Sequence, residues 1–461
     1  MIKSKTAFLL FFSCVILISG CATYYMKTIE FQDLLYAGKF KEADNWLEHY
    51  KKGKRNKNKV LHLLNRGYVA RMLGDYNRSI SYFSEADNLI EDFSKNIGAE
   101  ALTLVTNPTV KPYKTEDFET VLLNYFQANN YLSIGKTDDA LVECRKINNK
   151  LNKLNDKYPK HKNRYQSDAF AHLVMGLIYD SKRNYNDAFI AYRNAYETYK
   201  KDYEVNYNVL TPDQLKKDIL RTAAKTGLWS EVDFYEKEFG FKYEPTDAPF
   251  AELVFFWENG FGPVKSEWSI NVSSNVENGM LVIDNAEVGI HDVIPIPFGA
   301  MGWDKLGLMR IAFPKYDERR PIFTNAKLLT ENKSYNLEIA ENINEIAFKC
   351  LHDRMWREVA NSVSRLATKK ALEYAVGSKN DLAGVLVGIA GASTEKVDTR
   401  NWQTLPYSIS YSRIPLHEGN NKLIFQANSS NMFKEDSLQF NPRKGEMIFQ
   451  TYHLTDSYVP Q

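Results

Sequence analysis

The chain has 461 residues, of which 44% are hydrophobic and 25% charged, the balance of a folded globular protein and not of a disordered, collagenous or multi-span membrane chain. At about 150 residues per domain that length allows two or three domains and a sizeable core. Lys plus Arg number 59 against 57 Asp plus Glu, for a net charge of +2, so the global basic surplus that nucleic-acid binders use against phosphates is absent.

Lys3 and Lys5 precede an apolar run from Ala7 to Ile18 and then Ser19-Gly20-Cys21, the charged, greasy and small-residue order of an export signal. The run is too short for the roughly 20 apolar residues of a membrane span. Ile18-Ser19-Gly20-Cys21 resembles the bacterial lipobox, which implies cleavage before Cys21 and acylation of that residue; residues 1–20 would leave as the signal. Several acyl chains at about 0.8 kcal/mol per CH₂ make such an anchor permanent. The following Ala-Thr-Tyr-Tyr carries neither the Asp of an inner-membrane retention signal nor an acidic run, so the expected address is the outer membrane, facing the periplasm. Cys144 and Cys350 would then be the remaining thiols, with Cys144 at an apolar repeat position where a thiol acts as a small hydrophobe.

Residues 21–243 carry a degenerate repeat. Gly38-Lys-Phe40-x-x-Ala43 is echoed by Gly74-Asp-Tyr76-x-x-Ser79, Gly135-Lys-Thr137-x-x-Ala140 and Asn184-Tyr185-x-x-Ala188. Phe83 and Ala86, Cys144 and Ile147, and Tyr192 and Ala195 stand four and seven places after the small residue, the stripe of a core-facing helix. Gly67, Ala128 and Gly176 each lie 12 residues before it, where two helices must approach closely. The pattern resembles the tetratricopeptide repeat, with a further degenerate copy near Gly227-Leu-Trp229, and implies a helical solenoid. Cys144 departs from the larger residue usual at its place.

The spacing from Gly74 to Gly135 stretches to 61, and the extra segment contains Pro108 and Pro112. A surface loop is expected there, with Asn107, Tyr113, Phe118 and Glu119 as candidate partner-binding residues or, more blandly, as packing that caps the second repeat.

Pro245 and Pro249 mark a linker, after which residues 244–461 read as a β-rich domain. Leu253–Trp257 is a continuous apolar run of strand length. Ser266–Val272, Gly279–Asp284, Ala286–Ile290, Leu308–Phe313 and Tyr335–Ile339 are further strands, followed by an amphipathic helical insertion over 342–392. Strands return at Ser408–Arg413, Asn421–Gln426 and Met447–Tyr452. The fold class is therefore α+β: an all-α solenoid followed by an antiparallel sheet or sandwich with inserted helices. With the halves joined by a proline-bearing linker, few contacts are expected to cross it. The segment from Ile294-Pro-Ile-Pro297 to Gly307 reads as an exposed loop or a tucked-in connection, and Leu382–Gly391 as an apolar stretch too short to span a bilayer.

No zinc-protease, nucleophile-elbow, phosphate-loop or calcium-loop motif is present, so no catalytic residue, metal or cofactor is expected. His352-Asp353-Arg354 has the letters of a catalytic loop but falls in the inserted helix. Asp398, Arg400 and Trp402 form a set in which Arg offers a planar fork to a carboxylate and a face to an indole; with Lys265, beside Glu267, they are candidates for a ligand site or a structural clamp.

Asn107 with Tyr113, Asp117-Phe118-Glu119, Ala140 through Arg145, Glu258 through Lys265 and Asp398 through Pro406 together resemble a family of bacterial repeat-containing envelope lipoproteins. What the resemblance implies is modest: a lipid-tethered, non-enzymatic scaffold whose groove holds a protein or peptide partner, in envelope or peptidoglycan assembly, bound to the membrane through its lipid and to no nucleic acid. The alternative is a glycan-binding or hydrolytic C-terminal domain delivered by the repeats.

Overall fold

The computed structural model describes residues 23–95, 111–157, 165, 167–245, 247–272, 280–285, 290–295, 309–355 and 397–460. Cys21, Asn107, the Leu382–Gly391 stretch and most of the expected helical insertion lie outside them.

Helices stack in sequential pairs: after a single turn at Tyr24–Lys27 (α1) come α2 (Ile29–Tyr36) with α3 (Phe40–His49), α4 (Lys59–Met72) with α5 (Tyr76–Lys95), α6 (Asp117–Ser133) with α7 (Thr137–Lys157), α8 (Ala169–Ser181) with α9 (Tyr185–Thr198), and α10 (Asp213–Lys225) with α11 (Trp229–Phe239). Within each pair the chain reverses in three residues through a left-handed backbone position. Gly38, Gly74, Gly135 and Gly227 take it at φ +67, +76, +73 and +74°, and Arg183 takes it in the fourth pair at +59°. The repeat turns expected from sequence are therefore the helix reversals.

The small residues do what their spacing predicts. A Cβ on Gly67 would lie 2.5 Å from the Phe83 ring and one on Gly176 would lie 2.3 Å from Tyr192, so each glycine admits the aromatic of its partner helix. In the third pair Ala128 and Cys144 occupy the equivalent places, both fully buried. A methyl on one helix is matched by a smaller side chain on the other, which accounts for the departure at Cys144. Cys144 and Cys350 are both free and buried.

Strands begin at β1 (Ala251–Asn259), beyond the Pro245 linker, and continue with β2 (Val264–Val272), β3 (Met280–Asn285), β4 (Ile290–Pro295), β5 (Met309–Asp317), β6 (Asn325–Leu329), β7 (Ser334–Asn336) and β8 (Glu338–Asn342). A helix over 343–355 follows β8 directly and is the described part of the insertion. The chain returns as β9 (Ser408–Leu416), β10 (Asn421–Asn428), β11 (Phe433–Phe440) and β12 (Met447–Leu454). One four-stranded sheet runs β12-β1-β9-β8 and a second runs β11-β10-β6-β7, while β2 pairs with β5 and β3 with β4. The first sheet is mixed, because β12 lies parallel to β1 and β9 antiparallel to it. The expected loop starting at Ile294 begins inside β4, and its remainder falls outside the described residues.

β1 explains how the halves are joined. Leu253, Phe255 and Trp257 point to the second sheet and pack with Leu328, Leu423 and Phe425. Val254 and Phe256 point the other way, into a core shared with Phe126, Phe170 and Tyr199 of the helical half. The continuous apolar run is thus a strand buried on both faces, and the molecule is layered as helices, sheet and sheet. The expectation that few contacts cross the Pro245 linker is wrong, since the helical array roofs the first sheet and shares its largest core with it.

Candidate functional site

The face of the array that meets the sheet is built from the first helix of each pair, the surface on which repeat proteins hold extended ligands. Here the occupant is the chain itself. The irregular segment leading into β9 passes along it as residues 398–405, and its side chains engage the first three helix pairs.

Trp402, 1% exposed, fills a pocket of Tyr68, Phe83 and Phe126 with ring centroids 6.3, 5.7 and 5.7 Å away. Its backbone N–H donates to Glu119 Oε1 at 2.7 Å. Thr404 donates to Asn65 Oδ1 at 3.1 Å, and Gln32 Nε2 donates to Gln403 Oε1 at 2.9 Å. Arg400 grips Asp398 with Nε and one terminal nitrogen, at 2.8 and 2.6 Å. The same guanidinium donates to the carbonyls of Lys57 at 2.5 Å and Lys111 at 3.1 Å. Its plane lies over the Tyr113 ring at 5.6 Å and not over the indole of Trp402.

Tyr113, Phe118 and Glu119 are 3, 2 and 0% exposed, so they are no surface loop. They sit at the start of α6, where Tyr113 N–H donates to the Lys57 carbonyl at 2.9 Å and Tyr113 Oη donates to Glu119 Oε2 at 2.5 Å. Glu119 also accepts from the Glu116 N–H at 2.9 Å, the reciprocal half of a helix-capping box. Lys265 donates to Glu116 at 2.5 Å, and Arg354 donates to both oxygens of the same carboxylate. Burial opposes ionisation of Glu116, but Arg354 and Lys265 hold its pKa down at about 2. Burial, with the Glu116 charge behind it, pushes Glu119 up to about 7. Glu267 accepts from the Val397 N–H at 3.1 Å. Two groups of residues that look separate in sequence, Tyr113–Glu119 and Lys265 with Asp398–Trp402, are therefore one buried junction.

Three more arginines repeat the device. Arg71 of α4 donates to Glu258 of β1 at 2.8 Å, to Asn130 of α6 at 2.8 Å and to Thr451 of β12 at 3.1 Å. Tyr68 Oη and His453 Nδ1 lie 2.5 and 2.9 Å from the second Glu258 oxygen. Against the effect of burial, Arg71 and His453 keep Glu258 at about 2. Arg413 of β9 donates to Asp180 of α8 at 2.7 Å, to Asp218 of α10 at 2.8 Å and to Glu252 of β1 at 2.6 Å. Burial works against Asp180, which Arg413 and Arg221 bring to about 2. Arg319 donates to the carbonyls of Gly262 at 2.6 Å and Gln403 at 2.5 Å, and to Gln32 at 3.1 Å.

In the sequence Arg71, Arg319 and Arg413 carry no sign of a site role, Glu258 figures only within a family-like segment, and Arg354 only as a chance likeness to a catalytic loop. A usable clue existed in Glu258 and Arg413, charges placed inside or at the end of runs otherwise apolar enough to be core strands. Chemically the junction holds charges and backbone groups in fixed pairs. The Glu116–Glu119 carboxylate pair belongs to the helical half and is 4 and 0% exposed, closed off from solvent within the junction. Among the described residues no cluster of His, Cys, Asp and Glu is arranged to hold a metal ion, and no helix is long and apolar enough to cross a membrane.

No family model and no curated protein matches the chain. Solved structures similar to it include residues 41 onward of MamA from Desulfovibrio magneticus RS-1, at 15% identity and TM-score 0.29 over 48% of this chain and 93% of that one. A tetratricopeptide repeat protein from Parabacteroides merdae is 16% identical at TM-score 0.28, covering 46% of this chain and 65% of its own. The apo form of RapI is 13% identical at TM-score 0.29, covering 47% and 65%.

Proposed function

We propose that this protein is a lipid-anchored, non-catalytic adaptor of the bacterial cell envelope, held to the outer membrane by Cys21 and facing the periplasm. The observation that carries the reading is the junction at residues 398–405. A tetratricopeptide-like array whose ligand-holding face is filled by its own chain offers a partner the outer surface, where the second helices lie. Val142 of α7 and Ile190 of α9 are 47 and 40% exposed there. Repeat arrays that bind by surface complementarity need no nucleophile and no cofactor, which fits the absence of catalytic motifs in the sequence. Fixing the array on two sheets gives a rigid body, so a partner meets a preorganised surface and loses less entropy in binding it.

The test is photocrosslinking in growing cells with a reactive amino acid at Val142 or Ile190, compared with one at buried Phe126. A discrete protein adduct from an outer position and none from Phe126 supports the reading. Discrete adducts from Phe126 alone would place the partner in the junction, and fatty-acid labelling surviving in Cys21→Ser would end the anchor assignment.

A further inference from the structure

The chain enters the folded body beside a densely basic loop. Lys51, Lys52, Lys54, Arg55, Lys57 and Lys59 fall between Tyr50 and Val60 with no acidic residue among them. Lys51, Lys52, Lys54 and Arg55 are exposed, and among the described residues none of these four is paired with a carboxylate, whereas Lys59 reaches Glu85 at 2.8 Å. The loop is fastened. Gly53 N–H donates to the Tyr50 carbonyl at 3.0 Å and Asn58 Nδ2 to the Lys52 carbonyl at 3.0 Å. Gly53 is so closely packed that a Cβ there would lie 2.6 Å from His62 Nδ1. The charge is felt inside as well: burial first, then Arg66 and Lys54, bring His62 down to about 4.

A second observation fixes where the N-terminus arrives. Thr23 caps α1 by accepting the Met26 N–H at 3.2 Å. Tyr24 and Tyr25 are buried at 7 and 6% exposure, and Tyr24 N–H donates to Thr399 Oγ1 at 3.0 Å. The next residue, Arg400, holds the Lys57 carbonyl and donates to Asn58 Oδ1 at 3.1 Å. The entry point of the chain and the end of the basic loop are therefore clamped to two consecutive residues. Tyr50, at the start of the loop, lies close enough to Tyr24 that burial and then Tyr50 raise the Tyr24 hydroxyl well above the usual tyrosine range. Cys21 precedes Thr23 by two residues, a reach of about 7 Å when fully extended. An acylated Cys21 leaves no slack, so the body rests on the bilayer with this corner against it.

We propose that the Tyr50–Lys59 loop is a docking surface for the anionic headgroups of the bilayer to which the chain is anchored. This rests on the acylation reading for its biological setting, while the loop's affinity is measurable without it. The acyl chains hold the protein on the membrane; the loop decides which way it faces, because basic side chains against an anionic surface prefer one orientation of a rigid body. The α2/α3 pair then lies at the membrane and the α10/α11 pair at the far end of the stack.

The mature chain carrying Cys21→Ala, and so without acyl groups, is mixed with vesicles of phosphatidylcholine alone or with added phosphatidylglycerol and then sedimented. Binding is expected only with phosphatidylglycerol, weakening as salt screens it. The exposed triple change Lys51→Glu, Lys54→Glu and Arg55→Glu should reduce partitioning roughly a hundredfold at low salt while leaving the thermal transition in place. Equal binding to both vesicle types, undiminished binding by the triple variant, or capture of duplex DNA in place of vesicles would overturn the proposal. Acylation is read separately from the mass of the N-terminal peptide of the cell-derived protein. An unmodified peptide from a chain that still binds phosphatidylglycerol vesicles would remove the anchor and support the docking surface.

Discussion

Arg71 and Glu258 meet at 2.8 Å with side-chain exposures of 0 and 1%, although 187 residues separate them and they belong to the two halves of the chain. Removing one member of a buried ion pair strands the other without water, at a typical cost of about 3–5 kcal/mol. Arg71→Ala should lower the denaturant midpoint of the whole molecule by an amount in that range. Glu258→Gln should do so too, and the double variant should fall well short of the sum. Additive losses, measured by urea unfolding, would mean that the two side chains do not stabilise one another.

The linker at Pro245 is exposed and open to proteases, but cutting it should not release two independent bodies. After nicking, the fragments are expected to co-elute on gel filtration and to melt together, because Val254 and Phe256 share a core with Phe126 and Phe170. The helical half expressed alone should aggregate, having lost the sheet that covers its inner face. Two stable, separate fragments would contradict the shared core.

At the fourth helix pair, Gly176→Ala puts a methyl about where the Tyr192 ring already lies, with contacts of 2.3 Å. Overpacking of this kind costs about 1–3 kcal/mol. Tyr192→Leu in the same molecule should recover part of the loss, since a smaller side chain vacates the space. Calorimetric midpoints of the three variants decide the matter; an unchanged Gly176→Ala midpoint would remove the close approach from the argument.

Stability should fall on the acid side as Glu116 and Glu258 are protonated. Both are held near 2 when folded against 4.5 for the free side chain, so their contribution is complete above about pH 4.5 and is lost as pH drops towards 2. Glu119 has the opposite sign. Its folded value near 7 lies above 4.5, so its contribution is full below pH 4.5 and fades as pH rises through 7. Glu119→Gln should flatten the slope of melting temperature between pH 4.5 and 7 and leave the acid limb in place. An unaltered slope in that window would refute the assignment.

Truncating the intramolecular ligand should cost more than truncating an exposed aromatic. Trp402→Ala empties a pocket of three rings, a change worth about 3–5 kcal/mol, whereas Trp229→Ala, at a residue 60% exposed, should leave the melt nearly unchanged. Phe118→Ala belongs with the first of these, because its side chain is core. Equal effects at 402 and 229 would argue that the junction is not what holds residues 398–405.

The helical repeat could be read from the chain because its information is local: a reversal at Gly74, a small residue at Gly67 and an aromatic at Phe83 lie within one repeat. The strands of the first sheet were legible for the same reason, through apolar runs and their bounding turns. β6 and β11 were missed, and β11 reads as polar because its side chains are largely exposed. The junction left no spacing to find. Glu116 meets Lys265 and Arg354, and Arg413 meets Asp180, across sequence separations set by the fold alone. Tyr113, Glu119, Arg400 and Trp402 stood out as unusual residues, yet as two sites, because nothing local says that the irregular segment before β9 will lie along the inner face of the helices.

The parallel pairing of Glu252–Asn259 with Met447–Leu454 also sets an order of events. β12 follows β1 only after all the other strands of this half, so the first sheet has an open edge and Arg71 lacks its Thr451 contact until that segment has been made. Such long-range closure is slow compared with the formation of neighbouring helix pairs. The helix pairs therefore form first, and the first sheet closes only when β12 slides in beside β1.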